Sequence, residues 1–287
     1  ESRSHDVIVD LNPADTSDVI GKFQQSTVED ARAAIEAAKA AFPKWRAVPA
    51  PERGRVMARV AEIARQRADE LGRIMTREEG KILREGRGEI LKGVNLLEFY
   101  AGEGFRMGGK TRPSEMPSTF NYTLREPLGV VALITPWNFP WAIPVWKAAP
   151  ALVAGNCVVL KPASLTPLMA VKMIEIFQEA GLPKGVLNLV TGPGGTVGEE
   201  LATNATIKAV SFTGSTGIGT SLYVKAAQSL KKVTCEMGGK NALIVLDDAD
   251  LELAAEAIVQ GAFGSTGQRC TATSRVLVAK SVHDKLV

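Results

Sequence analysis

Residues 129–140 read GVVALITPWNFP: a run without polar alternation that a proline ends and an asparagine follows. A segment apolar on both of its sides suits a strand whose two faces are both covered, as in a parallel sheet flanked by helices. The same texture returns in NCVVLK (156–161), GVLNLVTG (185–192), KAVSFTG (208–214) and KKVTCEM (231–237), with helical stretches between. Strands alternating with crossover helices predict an α/β fold, a Rossmann-like parallel sheet with flanking helices. Gly155 and Gly181 fall where crossover helices should end, at positions that favour a left-handed residue.

Upstream, Ser26 and Glu29 have capping-box spacing, and Val28, Ala31, Ile35, Ala38 and Phe42 recur at helical intervals over 26–42. Two more amphipathic helices are expected over about 52–71 and 86–101. GGKTRPSEMPS (108–118) reads as a loop and TFNYTLREP (119–127) as an exposed strand. Downstream, NALIVLD (241–247), a helix over about 250–263 and SRVLVAK (274–280) look like the beginning of a second α/β domain. Ser281 and Asp284 in SVHDKLV have helix-start spacing, so the chain is expected to be cut within an element.

Composition narrows the function. The 287 residues carry 34 Lys and Arg against 31 Asp and Glu, a formal charge of +3. That gives no electrostatic reason to expect nucleic acid or an anionic membrane as partner, and favours a small molecule. Cys157, Cys235 and Cys270 are odd in number and widely spaced, which suits free thiols in a reducing, cytoplasmic setting. The first eighteen residues lack a basic flank before an apolar core, and no apolar run approaches the ~20 residues of a membrane helix, so neither secretion nor insertion is expected.

Ligands of open parallel sheets collect beyond the carboxyl ends of the strands. There the sequence places Asn138, Lys161, two glycine-rich turns (GPGGTVG, 192–198, and GSTGIG, 214–219) and Glu236. Both turns are loose variants of phosphate-binding patterns and also fit plain strand-to-helix turns. Ser215 and the amides opening its helix are placed to hold a phosphate. Lys161 alone would be an ordinary strand-end lysine; beside these groups it fits a ribose or phosphate ligand.

Cys157 and Cys235 lie inside apolar strands, where cysteine is usually an inert small hydrophobe. Cys270 sits instead in FGSTGQRCTATSR (263–275), among small and hydroxylated residues with Arg269 before it. A nucleophile and an incidental loop thiol both fit this stretch. The only histidines, His5 and His283, lie near the ends of the sequence, which disfavours a cysteine–histidine pair. Glu236, with Gly238 and Gly239 behind it, is the remaining candidate base. Asn138 offers an N–H to a developing oxyanion, a contact whose loss typically costs ~3 kcal/mol of transition-state stabilisation.

At TPWNFP (135–140), KPAS (161–164), FTGS (212–215), EMGGKN (236–241) and GQRC (267–270) the chain resembles the NAD(P)-dependent aldehyde dehydrogenase superfamily, with the motifs in family order from about residue 7 onward. The resemblance implies Cys270 as nucleophile, Glu236 as general base and Asn138 as oxyanion donor. It implies a cofactor cleft lined by Trp137, Lys161, Ser164, Gly214, Ser215 and Gly238, with no metal. It also implies a dinucleotide-binding domain over 1–108 and 127–238, an oligomerisation arm over 109–126 and a partial catalytic domain over 239–287. A homo-oligomer, dimer or tetramer, is expected of the full-length protein.

GQRCTATSR and REPLGVVALITPWNFPWAIP look most like the α-ketoglutarate and succinate semialdehyde branches, which implies a small carboxylated aldehyde; Arg269, next to the cysteine, fits the mouth of a substrate tunnel and equally fits a position facing away from it. Ser164 stands where NAD-preferring relatives often carry glutamate, so NADP is expected to be accepted alongside NAD. Two other readings remain compatible: a cofactor-independent thiol esterase, and a non-catalytic nucleotide-binding fragment.

Overall fold

The computed structural model describes residues 6–287, so His5 and the start of the expected dinucleotide-binding domain lie outside the described residues. Five parallel strands form the central sheet: β5 (Val130–Ile134), β6 (Cys157–Lys161), β7 (Leu187–Leu189), β8 (Ile207–Thr213) and β9 (Lys232–Glu236), in the order β7-β6-β5-β8-β9. Every residue of β5 and β6 is buried, as their two-sided apolar pattern requires. The order reverses direction beside β5, which opens a crevice at the carboxyl edge. Register levels that edge: Ile134 pairs with both Lys161 and Phe212, and Thr213 with Glu236.

Helices α5 (Ala142–Val153), α6 (Pro167–Glu179) and α8 (Thr216–Ala227) make crossovers, with the short α7 (Glu199–Thr203) behind a wide helical turn at Gly194–Gly198. Gly155 and Gly181 adopt φ +90° and +85° after α5 and α6, as their place in the sequence predicts. Four helices precede the sheet: α1 (Val28–Ala47), α2 (Ala50–Gln66), α3 (Ala68–Glu79) and α4 (Leu83–Glu103). Their apolar faces bury Ile35, Met57, Leu71, Met75, Ile90 and Leu97 against the sheet layer in one core.

Three sequence expectations are corrected here. The capping box of α1 is Thr27 with Asp30, because Ser26 spends its N–H on the Thr191 carbonyl at 3.0 Å. The helix expected over 52–71 breaks at Arg67 (φ −98°, ψ 13°) into α2 and α3. The strand expected over 119–127 shortens to β4 (Asn121–Tyr122), paired with β3 (Thr111–Arg112) inside the segment expected to be loop. An antiparallel hairpin, β1 (Val7–Asn12) and β2 (Asp15–Gln24), was not evident from the sequence pattern.

The final segment is built differently. β10 (Asn241–Val245) pairs in parallel with β11 (Thr273–Val278) around α9 (Leu251–Phe263), which buries no residue and leaves Leu253, Val259 and Phe263 exposed. A four-residue helix, α10 (His283–Leu286), follows. Among the described residues no helix is long and apolar enough to cross a membrane.

The hairpin docks through a buried acid pair. Asp10 of β1 meets Glu78 near the end of α3, and Glu78 accepts the Leu168 and Met169 N–H groups at 2.5 and 3.0 Å, at the opening of α6. Those amides favour an anionic Glu78, but burial and then the charge of Asp10 outweigh them and hold its carboxyl well above the usual carboxylate range. Burial also raises Asp10, against its bond to Glu78 and the nearby charge of Arg77. A carboxyl whose folded pKa is raised contributes stability that is full below its unfolded value and is lost as pH rises towards the folded one. Melting temperature is therefore expected to fall by roughly 5 °C as pH rises from about 5 to about 9. Glu78→Gln keeps an acceptor for α6 and a donor for Asp10, and should remove most of that slope in thermal melts; an unchanged slope would place its origin elsewhere.

Candidate active site

Cys270 is exposed, on the turn after Gly264–Gly267. Ser265, Thr266 and Gly267 take φ of 54°, 55° and 70°, three consecutive left-handed residues that reverse the chain sharply. Two of them carry side chains, so the reversal costs energy and needs outside support. Glu85, in the first turn of α4, supplies it by accepting the Ser265 N–H at 3.0 Å and by facing the Arg269 guanidinium at 3.6 Å. Asn241 donates its amide to the Cys270 carbonyl at 2.8 Å. The Cys270 N–H donates to no carbonyl among the described residues.

Asn138 lies beyond the end of β5 and reaches this turn from the other side. Its Nδ2 donates to the Gln268 carbonyl at 2.6 Å, two residues before the cysteine, which fixes the amide orientation and leaves its second N–H available. The backbone beneath it is anchored by buried charge. Lys81 donates to the Asn138 carbonyl at 2.9 Å and pairs with Glu89 at 2.5 Å, and Glu89 accepts the Trp141 and Ala142 N–H groups, both at 3.0 Å, where α5 begins.

Glu236 closes β9. Its Oε2 accepts the Thr213 hydroxyl at 3.0 Å and lies 3.8 Å from the Lys147 ammonium, while the side chain stays about half exposed (54%). Lys147 is buried on α5, donates to Ser211 at 2.8 Å, and is held below its ordinary pKa by burial, a shift that Glu236 opposes. The sequence reading missed Lys147 and Thr213. The signal for Lys147 was present: it is the one charged residue in AIPVWKAAPALV.

Cys157 is fully buried, and burial pushes its thiol up to about 12. Cys235 is half-buried with Sγ 3.7 Å from the Gly219 carbonyl, and burial raises it too. Both match the inert role expected of strand cysteines.

A cavity of about 570 Å³ runs along the strand ends, lined by Trp137, Asn138, Lys161, Gly214, Ser215, Gly238 and Cys270. A second, of about 410 Å³, shares Gly194 and Ile218 with it and continues between α7 and α8. Together they form an extended cleft suited to a dinucleotide. The Lys161 amine, buried and held down to about 8 by desolvation, donates among the described residues only to the neighbouring Pro162 carbonyl at 2.9 Å. Ser215 caps α8 without spending its hydroxyl on the helix, so the opening amides and that hydroxyl remain for an anion. Space beside Gly238 is open to a distance of 4 Å, whereas a Cβ on Gly214 would stand 2.6 Å from the Phe212 ring. These donors and clearances fit a bound nicotinamide dinucleotide. Ser164 does not line either cavity; its hydroxyl donates to the Gly192 carbonyl at 3.3 Å.

A third cavity, of about 420 Å³, reaches Cys270 from the opposite side, between α4, α5 and the cysteine turn. Arg269 lines it as well as the dinucleotide cleft. Among the described residues no group of three or more His, Cys, Asp or Glu side chains is arranged to hold a metal ion.

Residues 1–287 match the model of the aldehyde dehydrogenase family. The chain is 50% identical over 285 residues to the α-ketoglutaric semialdehyde dehydrogenase of Bacillus subtilis, covering 99% of this chain and 58% of that protein. A solved Escherichia coli structure described as an NADP dependent enzyme superposes with a TM-score of 0.97 at 41% identity, over 100% of this chain and 59% of its own. A Staphylococcus aureus betaine aldehyde dehydrogenase variant, solved in complex with NAD+, gives a TM-score of 0.97 at 36% identity, over 100% of this chain and 58% of its own. The chain thus spans under six-tenths of the length of the relatives it matches.

Proposed function

Because the chain belongs to the aldehyde dehydrogenase family, we propose that it carries the chemistry that oxidises an aldehyde to a carboxylate through a thioester on Cys270, with NAD(P) as cofactor. The observation that carries this reading is the bond from Asn138 to the Gln268 carbonyl, which brings an amide donor beside an exposed cysteine from the far side of the cleft.

In this mechanism the Cys270 sulfur adds to the aldehyde carbon, and the carbonyl π pair moves to oxygen. The free Asn138 N–H and the Cys270 N–H stabilise that oxyanion. The oxyanion pair returns to re-form the C=O as hydride leaves the carbon, and the acceptor for that hydride would be supplied by a nicotinamide dinucleotide that Lys161, Ser215 and the glycine turn at Gly214 would hold. Glu236 then takes a proton from water whose oxygen attacks the thioester; the C–S bond breaks and the carboxylate leaves. Thr213 and Lys147 hold the Glu236 carboxylate at the strand end, and its side chain stays half exposed.

The substrate reading is a small semialdehyde bearing a carboxylate, supported by the name of the Bacillus subtilis relative. Residues 1–108 and 127–238 are read as the dinucleotide-binding domain and 239–287 as part of the catalytic domain. The exposed β3–β4 arm, with Phe120, Tyr122 and Leu124 on its surface, is read as a contact between copies in a homo-oligomer.

The test is an assay of aldehyde-dependent cofactor reduction with NAD and NADP in parallel. Reduction of NADP is expected, since Lys161 adds an ammonium to the cleft and Ser164, one residue beyond the lining Ala163, carries no charge to repel a 2′-phosphate. Ser164→Glu should shift the ratio of kcat/KM values towards NAD by about tenfold or more, which needs only ~1.4 kcal/mol of differential transition-state binding. An unchanged ratio would assign cofactor choice to another residue, and reduction of neither cofactor would reject the reaction.

A further inference from the structure

The third cavity holds a charge imbalance. Its cations are Lys81, Lys92 and Arg269, and its carboxylates Glu85 and Glu89. Lys81 is spent on Glu89 at 2.5 Å and Arg269 faces Glu85 at 3.6 Å. Lys92 pairs with no carboxylate among the described residues; its ammonium stands 6.0 Å from the Phe139 ring centroid and 5.6 Å from that of Trp146. An ammonium over aromatic faces keeps its charge without being neutralised. An unneutralised cation on the wall of a cavity marks a place for an acceptor that carries negative charge.

We propose that Lys92 anchors the carboxylate at the far end of an aldehyde whose carbonyl meets Cys270. The inference rests on the reading of Cys270 as the nucleophile and deepens it by naming the specificity residue. It also moves that role away from Arg269, the residue next to the cysteine, whose charge is met by Glu85. Phe139, Ile143 and Trp146 give the cavity an apolar wall along which a methylene chain lies between the two ends. Lys92 is exposed and outside the buried face of α4, so its replacement does not disturb the core.

The experiment compares two thiol reagents of nearly equal shape on this chain. N-ethylmaleimide is neutral, and N-(2-carboxyethyl)maleimide carries a carboxylate at the end of the same two-carbon arm. In both, the cysteine sulfur adds to one alkene carbon and a solvent proton to the other. Rates at Cys270 are read from the mass of its peptide. The unmodified chain should favour the carboxylated reagent, and Lys92→Gln should lower that preference by about fivefold, the size of an ordinary partly exposed charge contact. Lys92→Arg should restore it. No preference in the unmodified chain, or a preference kept undiminished with Lys92→Gln, would overturn the assignment. Alkylation of Cys235 with none at Cys270 would instead reject the nucleophile reading itself, and thermal melting of each variant checks that the fold is retained.

Discussion

Cys270→Ala is expected to abolish aldehyde oxidation and any ester hydrolysis together, by about 10⁴-fold or more in kcat, since removing a covalent nucleophile removes the pathway and not one contact. No other thiol is placed to substitute. Cys157 is closed within the sheet and its thiol is pushed up to about 12. Cys235 turns its sulfur towards the Gly219 carbonyl. Cofactor binding should survive the change, because Lys161, Ser215 and Gly214 stand on strand ends and a helix start away from the cysteine turn. Titration of the reduced dinucleotide by fluorescence, beside the activity assay, separates the two effects. Turnover in the alanine variant would remove Cys270 from the mechanism.

Glu236→Gln should divide the reaction at its middle. The amide cannot take a proton from water, so thioester hydrolysis is expected to slow by about 10²- to 10⁴-fold, the usual range for a positioned general base. Formation of the thioester needs no base at this position, so rapid mixing should still give a burst of reduced cofactor of about one equivalent per site before a slow steady rate. Glutamine is isosteric and can still accept the Thr213 hydroxyl, which preserves the strand end. Its neutrality also leaves the buried Lys147 ammonium without the carboxylate that opposes its desolvation. A vanished burst with cofactor affinity intact would mean that Glu236 acts before the hydride leaves.

What the sequence disclosed follows from how local each signal is. β5 and β6 were legible because burial on both faces leaves a continuous apolar run, and their bounds fall inside the segments read for them; β9, at the sheet edge, alternates exposed and half-buried residues instead. Gly155 and Gly181 were legible because a left-handed helix terminus nearly demands glycine. The β1–β2 hairpin was not, because β2 opens on the polar run Asp15–Asp18 and its pairing partner carries the buried Asp10, a polar residue at a core position. The break at Arg67 has no proline or glycine to announce it; Arg67 instead pairs with Glu70 within α3 and with Glu179 at the end of α6, contacts that only the packed helices create.

The site divides in the same way. Cys270, Glu236 and Asn138 could be singled out by where they stand relative to predicted strands, and the structure places Asn138 and Cys270 on one cavity with Glu236 at the adjoining strand end. Lys147 and Thr213 became visible only through register and helix packing, which bring residues from α5 and β8 to one carboxylate. Arg269 shows the opposite case, a residue whose neighbour in sequence suggested substrate contact and whose neighbour in space, Glu85, is already a charge partner.

The exposed faces of α9 bear on how the molecule fails. Within these 287 residues that helix buries no residue, β10 and β11 form a sheet of only two strands, and the cysteine turn is held to the rest by Glu85 and Asn138. Such a segment has little local free energy of its own, so it opens as a separate cooperative unit well below the cost of melting the five-stranded sheet. Denaturant or mild heat would then detach the cysteine while the dinucleotide cleft is still intact. Loss of chemistry and loss of secondary structure become two transitions, and a single midpoint measured by circular dichroism would report the durability of the wrong half.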